Sequence, residues 1–222
     1  MQTHPNRALY LTLKYWRSAG LQHLDLPEII DEEEEKNPED DLNQIKNTYT
    51  NCTLCNLHQD RKHIVFGKGN PKADLVIIGS GPDADSESRQ IPFAGEQLEL
   101  LNRMLEKMGV SPDQVYYTMI TKCRPKNDRT PEAIEVNVCN KILEQELHAI
   151  QPKIICTMGT IASNGLLEIN APISKIRGQI KNWRNIPVMP TYSPAFLLKK
   201  KYARHEVWQD MQNVLAILNK KN

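Results

Sequence analysis

The sequence predicts an α/β domain of three layers, αβα, in which helices cover both faces of a central parallel sheet of about four strands. Two observations predict it. Short apolar runs rich in β-branched residues, such as residues 74–79 and Ile154–Met158, recur along the chain. Longer amphipathic stretches separate them, and strands that alternate with helices run parallel. A chain of 222 residues suits one domain of ordinary size with a short appendage.

In chain order, residues 7–19 carry Leu9, Tyr10, Leu13 and Trp16 at near-helical spacing, and Gly20 suits a C-cap. Residues 1–30 therefore read as a helical appendage. Residues 31–41, acidic from Glu32 to Glu35 and again from Glu39 to Asp41, read as a solvated linker. The main domain spans 42–222. It opens with a short helix over 42–49, then Cys52-Thr-Leu-Cys55, and a strand and turn over 64–71. Residues 74–79 are the strongest buried strand, and a loop follows over 80–94. Leu98, Leu101, Leu105 and Met108 form one helical stripe that ends at Gly109.

Tyr116, Tyr117, Met119 and Ile120 suit a buried strand, which Pro125 ends by lacking a ladder donor. Asn127, Asp128 and Arg129 make a turn. Thr130 as N-cap and Pro131 at the first helical position open a helix that carries Cys139. A strand over Ile154–Met158, a helix over Thr160–Leu167, a strand over Ile186–Thr191 and a closing helix through Trp208, Met211, Leu215 and Leu218 complete the chain. Sheets of this kind bind ligands beyond the carboxyl ends of their strands. The loops after Gly79, Thr121 and Tyr192 lie there.

Composition narrows the class. No apolar run reaches the roughly 18 residues of a membrane span, and the first residues lack a signal-peptide stretch. Free cysteines then suit a reducing, cytoplasmic setting. The net charge of +1 favours no partner by itself. Its distribution says more: acid gathers near the start, whereas Lys122, Arg124, Arg129, Arg177 and Lys199 to Lys201 stand in the second half, where they could meet phosphates.

Cys52, Cys55, Cys123 and Cys139 form the pattern C-x2-C, 67 residues, C, 15 residues, C. Four thiolates from three segments can ligate an iron–sulfur cluster or a zinc ion. The alternative is a chance pair plus two buried thiols. An odd count of five cysteines in a chain of this length does not suit a disulfide framework. Cys156 reads as a small apolar residue in a buried strand.

The chain from about residue 42 onward resembles the iron–sulfur uracil-DNA glycosylases, called family 4. The resemblance rests on Phe66-Gly67, Gly79-Ser-Gly-Pro82, Pro92-Phe-Ala-Gly95, Lys122-Cys-Arg-Pro125, residues 127–131, Gln151-Pro-Lys153, Arg177-Gly178, Pro190-Thr-Tyr-Ser-Pro194 and Leu197-Leu198, in that order. It implies a uracil-DNA glycosylase-like fold and a 4Fe–4S cluster on Cys52, Cys55, Cys123 and Cys139. It also implies a monomer that acts on DNA, duplex or single-stranded, with the target base flipped into a pocket. That pocket would use Gly79, Gly81, Pro82, Phe93 and Met119. DNA would be held by Arg124, Arg129, Arg177 and a loop over residues 193–198 with Pro194, Leu197 and Leu198.

Three positions depart from the family. Ser80 stands for a glutamate, Met119 for the uracil-reading asparagine, and Ser193 for a histidine that bonds the leaving base. A thioether cannot donate to the uracil edge as an amide does. A buried polar edge left unpaired can lose discrimination of about 10⁴, and loss of a charge-stabilising donor costs about 10² to 10³ in rate. Weak or absent action on uracil is expected. Asp83, Ser80 and Ser193 are the candidate catalytic groups, with Asp83 to position water. Met119 and Ala195 suit a more apolar base. The competing readings are a glycosylase with altered base preference, a DNA- or lesion-binding module without the chemistry, and an unrelated redox or zinc protein.

Overall fold

The computed structural model describes Tyr15 and residues 37–220. The chain divides into two compact units, Met1–Lys36 and Asn37–Asn222. Tyr15 apart, the helix expected over residues 7–19 lies outside the described residues, as do residues 31–36 of the acidic stretch. Helix α1, Pro38–Tyr49, begins inside that stretch. Asn37 caps it by accepting the Glu39 N–H, Pro38 fills the first turn, and Glu39, Asp40 and Asp41 face the positive helix end. The last acidic residues are thus a helix start.

Six strands form one sheet: β1 (Lys68–Gly69), β2 (Leu75–Gly79), β3 (Val115–Met119), β4 (Ile154–Met158), β5 (Lys181–Trp183) and β6 (Ile186–Thr191), in the order β1-β3-β2-β4-β6-β5. The inner four pair in parallel. The expected four-stranded sheet is corrected by its edges, where short β1 and β5 add antiparallel. Strand β5 returns into β6 through Arg184 and Asn185, both left-handed at φ 44° and 70°, as a two-residue hairpin turn requires.

Both faces of the sheet are covered. Leu75 and Ile77 point into a core with Leu101, Leu105 and Met108 of α3 (Gly95–Met108) and Val207, Met211 and Val214 of α8 (Arg204–Leu218). Val76 and Ile78 point the other way, to Leu143, Leu147 and Ile150 of α4 (Ala133–Ile150) and Ala162 and Leu166 of α5 (Thr160–Leu167). Fully burying each of the Leu, Ile, Val and Met side chains stabilises by about 1.5–3 kcal/mol. Short helices α2 (Ala84–Arg89), α6 (Ile173–Ile176) and α7 (Pro194–Lys199) complete the fold. No described helix is long and apolar enough to cross a membrane.

Two local expectations change. Helix α4 starts at Ala133 with Glu132, not Thr130, as N-cap; Glu135 accepts the Glu132 N–H at 2.7 Å. The stretch after Tyr192 is a helix, not a loop: the Ser193 hydroxyl accepts the Phe196 N–H at 3.3 Å and Pro194 takes the first turn.

A charge sits inside this core. Lys122 is 1% exposed, and its Nζ donates to Thr118 Oγ1 (2.6 Å), the Met119 carbonyl (2.9 Å) and Glu146 Oε2 (2.7 Å). Glu146 Oε1 accepts the Gly67 N–H at 3.2 Å. Leaving one partner of a buried pair alone costs about 3–5 kcal/mol, whereas an apolar pair can be neutral. Lys122→Met should therefore lower stability in urea unfolding by about that amount, and adding Glu146→Leu should recover most of it.

Candidate functional site

The four parallel strands end at one cleft of about 290 Å³. Gly79 ends β2, Met119 ends β3, Met158 ends β4, and Ser193 lies just beyond β6; all four line it. Ser80, Gly81, Pro82, Asp83, Phe93, Pro194 and Ala195 line it too. Ser80, Met119 and Ser193, far apart in sequence, therefore share one cavity. Gly159 (φ 96°) keeps it open: a Cβ there would stand 3.3 Å from Ser193 Cβ and 3.7 Å from Ser80 Oγ.

Phe93 forms the aromatic wall. It is buried, with its ring edge-on to Tyr117 at 6.4 Å and 70°. Its backbone is left-handed at φ 54°, a conformation that costs a bulky residue about 1–3 kcal/mol. A Cβ on Gly79 would stand 2.7 Å from that ring, so glycine at the strand end is what lets the ring lie over the sheet. Burial pushes the Tyr117 hydroxyl up to about 12, which keeps it protonated.

The carboxylates at the cleft are engaged. Asp83 Oδ1 accepts the Ser86 N–H (2.8 Å) and caps α2; Oδ2 accepts the Gln97 amide (2.7 Å). Asp128 receives a bidentate Arg124, at 2.6 and 2.9 Å. Gln97, which pattern reading placed only on a helix, lines the cleft. Its signal was a polar side chain in the first turn after a Gly-terminated loop.

The expected DNA contacts divide. Arg129 is exposed at the cleft and holds Glu135 bidentately, at 2.9 and 2.6 Å. Arg177 is locked on Asp210, bonds the Glu206 carbonyl and lies over the Tyr192 ring, so it braces α8 rather than facing solvent. Leu197 is 1% exposed in the core under α3, and Leu198 is partly buried; neither projects as a wedge. Lys199, Lys200 and Lys201 instead stand exposed just beyond Leu198, with no ion-pair partner among the described residues.

A sequence model of the uracil DNA glycosylase superfamily matches residues 66–212, which hold every strand-end loop of the cleft. The chain belongs to this superfamily. It is similar to the type-4 uracil-DNA glycosylase of Sulfurisphaera tokodaii, 34% identical over 82% of this chain and 88% of that one. It is likewise similar to that of Archaeoglobus fulgidus, 31% identical over 81% of this chain and 94% of that one.

The iron–sulfur expectation for this superfamily member is corrected. Cys52, Cys55, Cys123 and Cys139 border one small cavity of about 10 Å³. Among the described residues, however, no group of three or more His, Cys, Asp or Glu side chains could hold a metal ion. The room is about what one water needs. Cys123 accepts from Arg61 Nη1 (3.4 Å), and Cys139 from the Lys122 N–H (3.2 Å). Burial raises the Cys55 and Cys123 thiols and pushes Cys139 up to about 12. Neither a 4Fe–4S cluster nor a zinc site is assigned.

The hydrogen bonds from Arg129 hold Glu135 below the usual carboxylate range, as Arg124 does for Asp128. A depressed carboxylate contributes stability that is present above its unfolded value and lost as pH falls through its folded value. Glu135→Gln should flatten the acid limb of a stability–pH profile below the ordinary carboxylate range, and lower stability at neutral pH. An unchanged acid limb would show that Arg129 does not hold Glu135 in solution.

Proposed function

We propose that this protein binds DNA and receives an extruded base in the strand-end cleft, with weak or no excision of uracil. The observation that carries this reading is the state of Asp83. Each of its oxygens already accepts a hydrogen bond, one from a helix-cap N–H and one from Gln97, so the carboxylate is held in a structural role. Ser80 and Ser193 stand where family resemblance puts a glutamate and a histidine, and Met119 where it puts an amide. Met119, Met158, Phe93 and Ala195 make the cleft apolar enough to stack a base, and Gln97 is its principal neutral amide. The DNA partner is supported by membership of a glycosylase superfamily and by exposed Lys199 to Lys201 at the end of α7, the helix whose first residues line the cleft.

A second reading keeps the chemistry, and superfamily membership supports hydrolase activity at that level. Asp83 still lines the cleft, one residue from Pro82. If substrate displaced the Gln97 amide, Asp83 could position water against the sugar of a bulkier, more apolar base. In either reading Ser80 and Ser193 supply hydroxyls to the base, not charge.

The test incubates the full chain with duplex and single-stranded oligonucleotides that carry uracil and a panel of altered bases. Binding is followed by anisotropy and released base by mass spectrometry. Saturable binding with no released base is expected. Release of uracil at an enzymatic rate would contradict the proposal; release of another base that Asp83→Asn abolishes would establish the second reading. Replacing Lys199, Lys200 and Lys201 with alanine should weaken binding to all sequences and reduce the salt slope by about 0.7–0.9 per lost phosphate contact.

A further inference from the structure

A second cavity among the described residues is larger than the cleft. Helices α3 and α8 form a groove of about 630 Å³ on one face of the sheet, more than twice the cleft's volume. Leu100, Leu197 and Val207 are its buried floor, and Met104 and Trp208 are half-buried walls. Its polar groups are Arg103, Lys107 and Arg204, all exposed. No carboxylate, histidine, hydroxyl or amide lines it.

We infer that this groove is a docking surface for an acidic, amphipathic helical segment of a protein partner. Positions 100, 103, 104 and 107 fall on one face of α3, and 204, 207 and 208 on one face of α8. An apolar trough between two helices is the form that receives the apolar face of a third. The charges choose the partner. Arg103, Lys107 and Arg204 make no ion pair among the described residues, on a chain whose net charge is only +1. Three unneutralised cations on an apolar trough complement leucine-type anchors flanked by Asp or Glu. Duplex DNA fits less well: a phosphate backbone uses the cations but leaves Met104, Trp208 and the floor without an apolar partner.

The probe is a fluorescent 18-residue helical peptide with leucine on one face and glutamate on the others, titrated onto the full chain by anisotropy. Saturable binding that weakens with added salt is expected. Arg103→Glu, Lys107→Glu and Arg204→Glu together should weaken it at least tenfold, with the urea midpoint and oligonucleotide binding unchanged. Lys107→Glu alone, on an exposed helix position, should weaken it by a smaller factor. Trp208→Ala should weaken it without changing its salt dependence. Equal affinity of the triple variant, absence of saturable binding, or displacement of the peptide by duplex DNA would each overturn the assignment.

Discussion

The buried ammonium of Lys122 is the constraint around which the domain is assembled. An unpaired charge at that depth would cost several kcal/mol, so the chain supplies an acceptor for each of its three hydrogens. Those acceptors come from Thr118 and Met119 on β3 and from Glu146 on α4. The same carboxylate takes the Gly67 N–H, which draws in the segment that leads to edge strand β1. Three pieces of chain that share no local sequence relation are thereby set in register. Because every member is bonded, the network rigidifies rather than weakens the core.

The cleft inherits its geometry from that arrangement. The carbonyl of Met119 is held from below by Lys122, so the strand end that faces the cleft cannot drift. On the opposite side, Thr191 donates to Asp210, which Arg177 also grips, and the chain then turns from β6 into Ser193 and α7. The two braces hold the β3 and β6 ends, while glycines 79 and 159 leave the volume between them open. A polar, reactive site needs groups whose lone pairs are uncommitted. Here the carboxylates are used structurally, and Met119, Met158, Phe93 and Ala195 give the wall an apolar stretch, which suits holding a base better than breaking its bond.

The parts of the fold that were legible in the sequence are those ruled by local periodicity. Ile154–Met158, Thr160–Leu167 and Ile186–Thr191 are bounded by apolar runs and Gly or polar breaks, and they form as read. The edge strands were less legible: the strand expected over 64–66 forms instead at Lys68–Gly69, inside the expected turn, and the β5–β6 turn uses Arg184-Asn185 where a glycine would have signalled a hairpin. Residues 193–198 were expected as a loop from the family resemblance, yet Ser193 and Pro194 start a helix well. Lys122 was legible only as a basic residue, since burial depends on Glu146, distant in sequence. The cysteine spacing identified segments that meet at one cavity but not what the sulfurs do there. Ser80, Met119 and Ser193 could be brought together from sequence because strand-end loops in such sheets converge; that Asp83 is spent on Ser86 and Gln97 could not.

Base capture in the cleft is tested most directly by fluorescence from 2-aminopurine placed in a DNA duplex, since that base brightens when it leaves the stack. Addition of the protein should raise the signal, and Ala195→Phe, which fills the cleft from its exposed rim, should abolish the rise while DNA is still bound. No rise with the unaltered protein, or the same rise with the filled cleft, would contradict the assignment of this cavity to an extruded base.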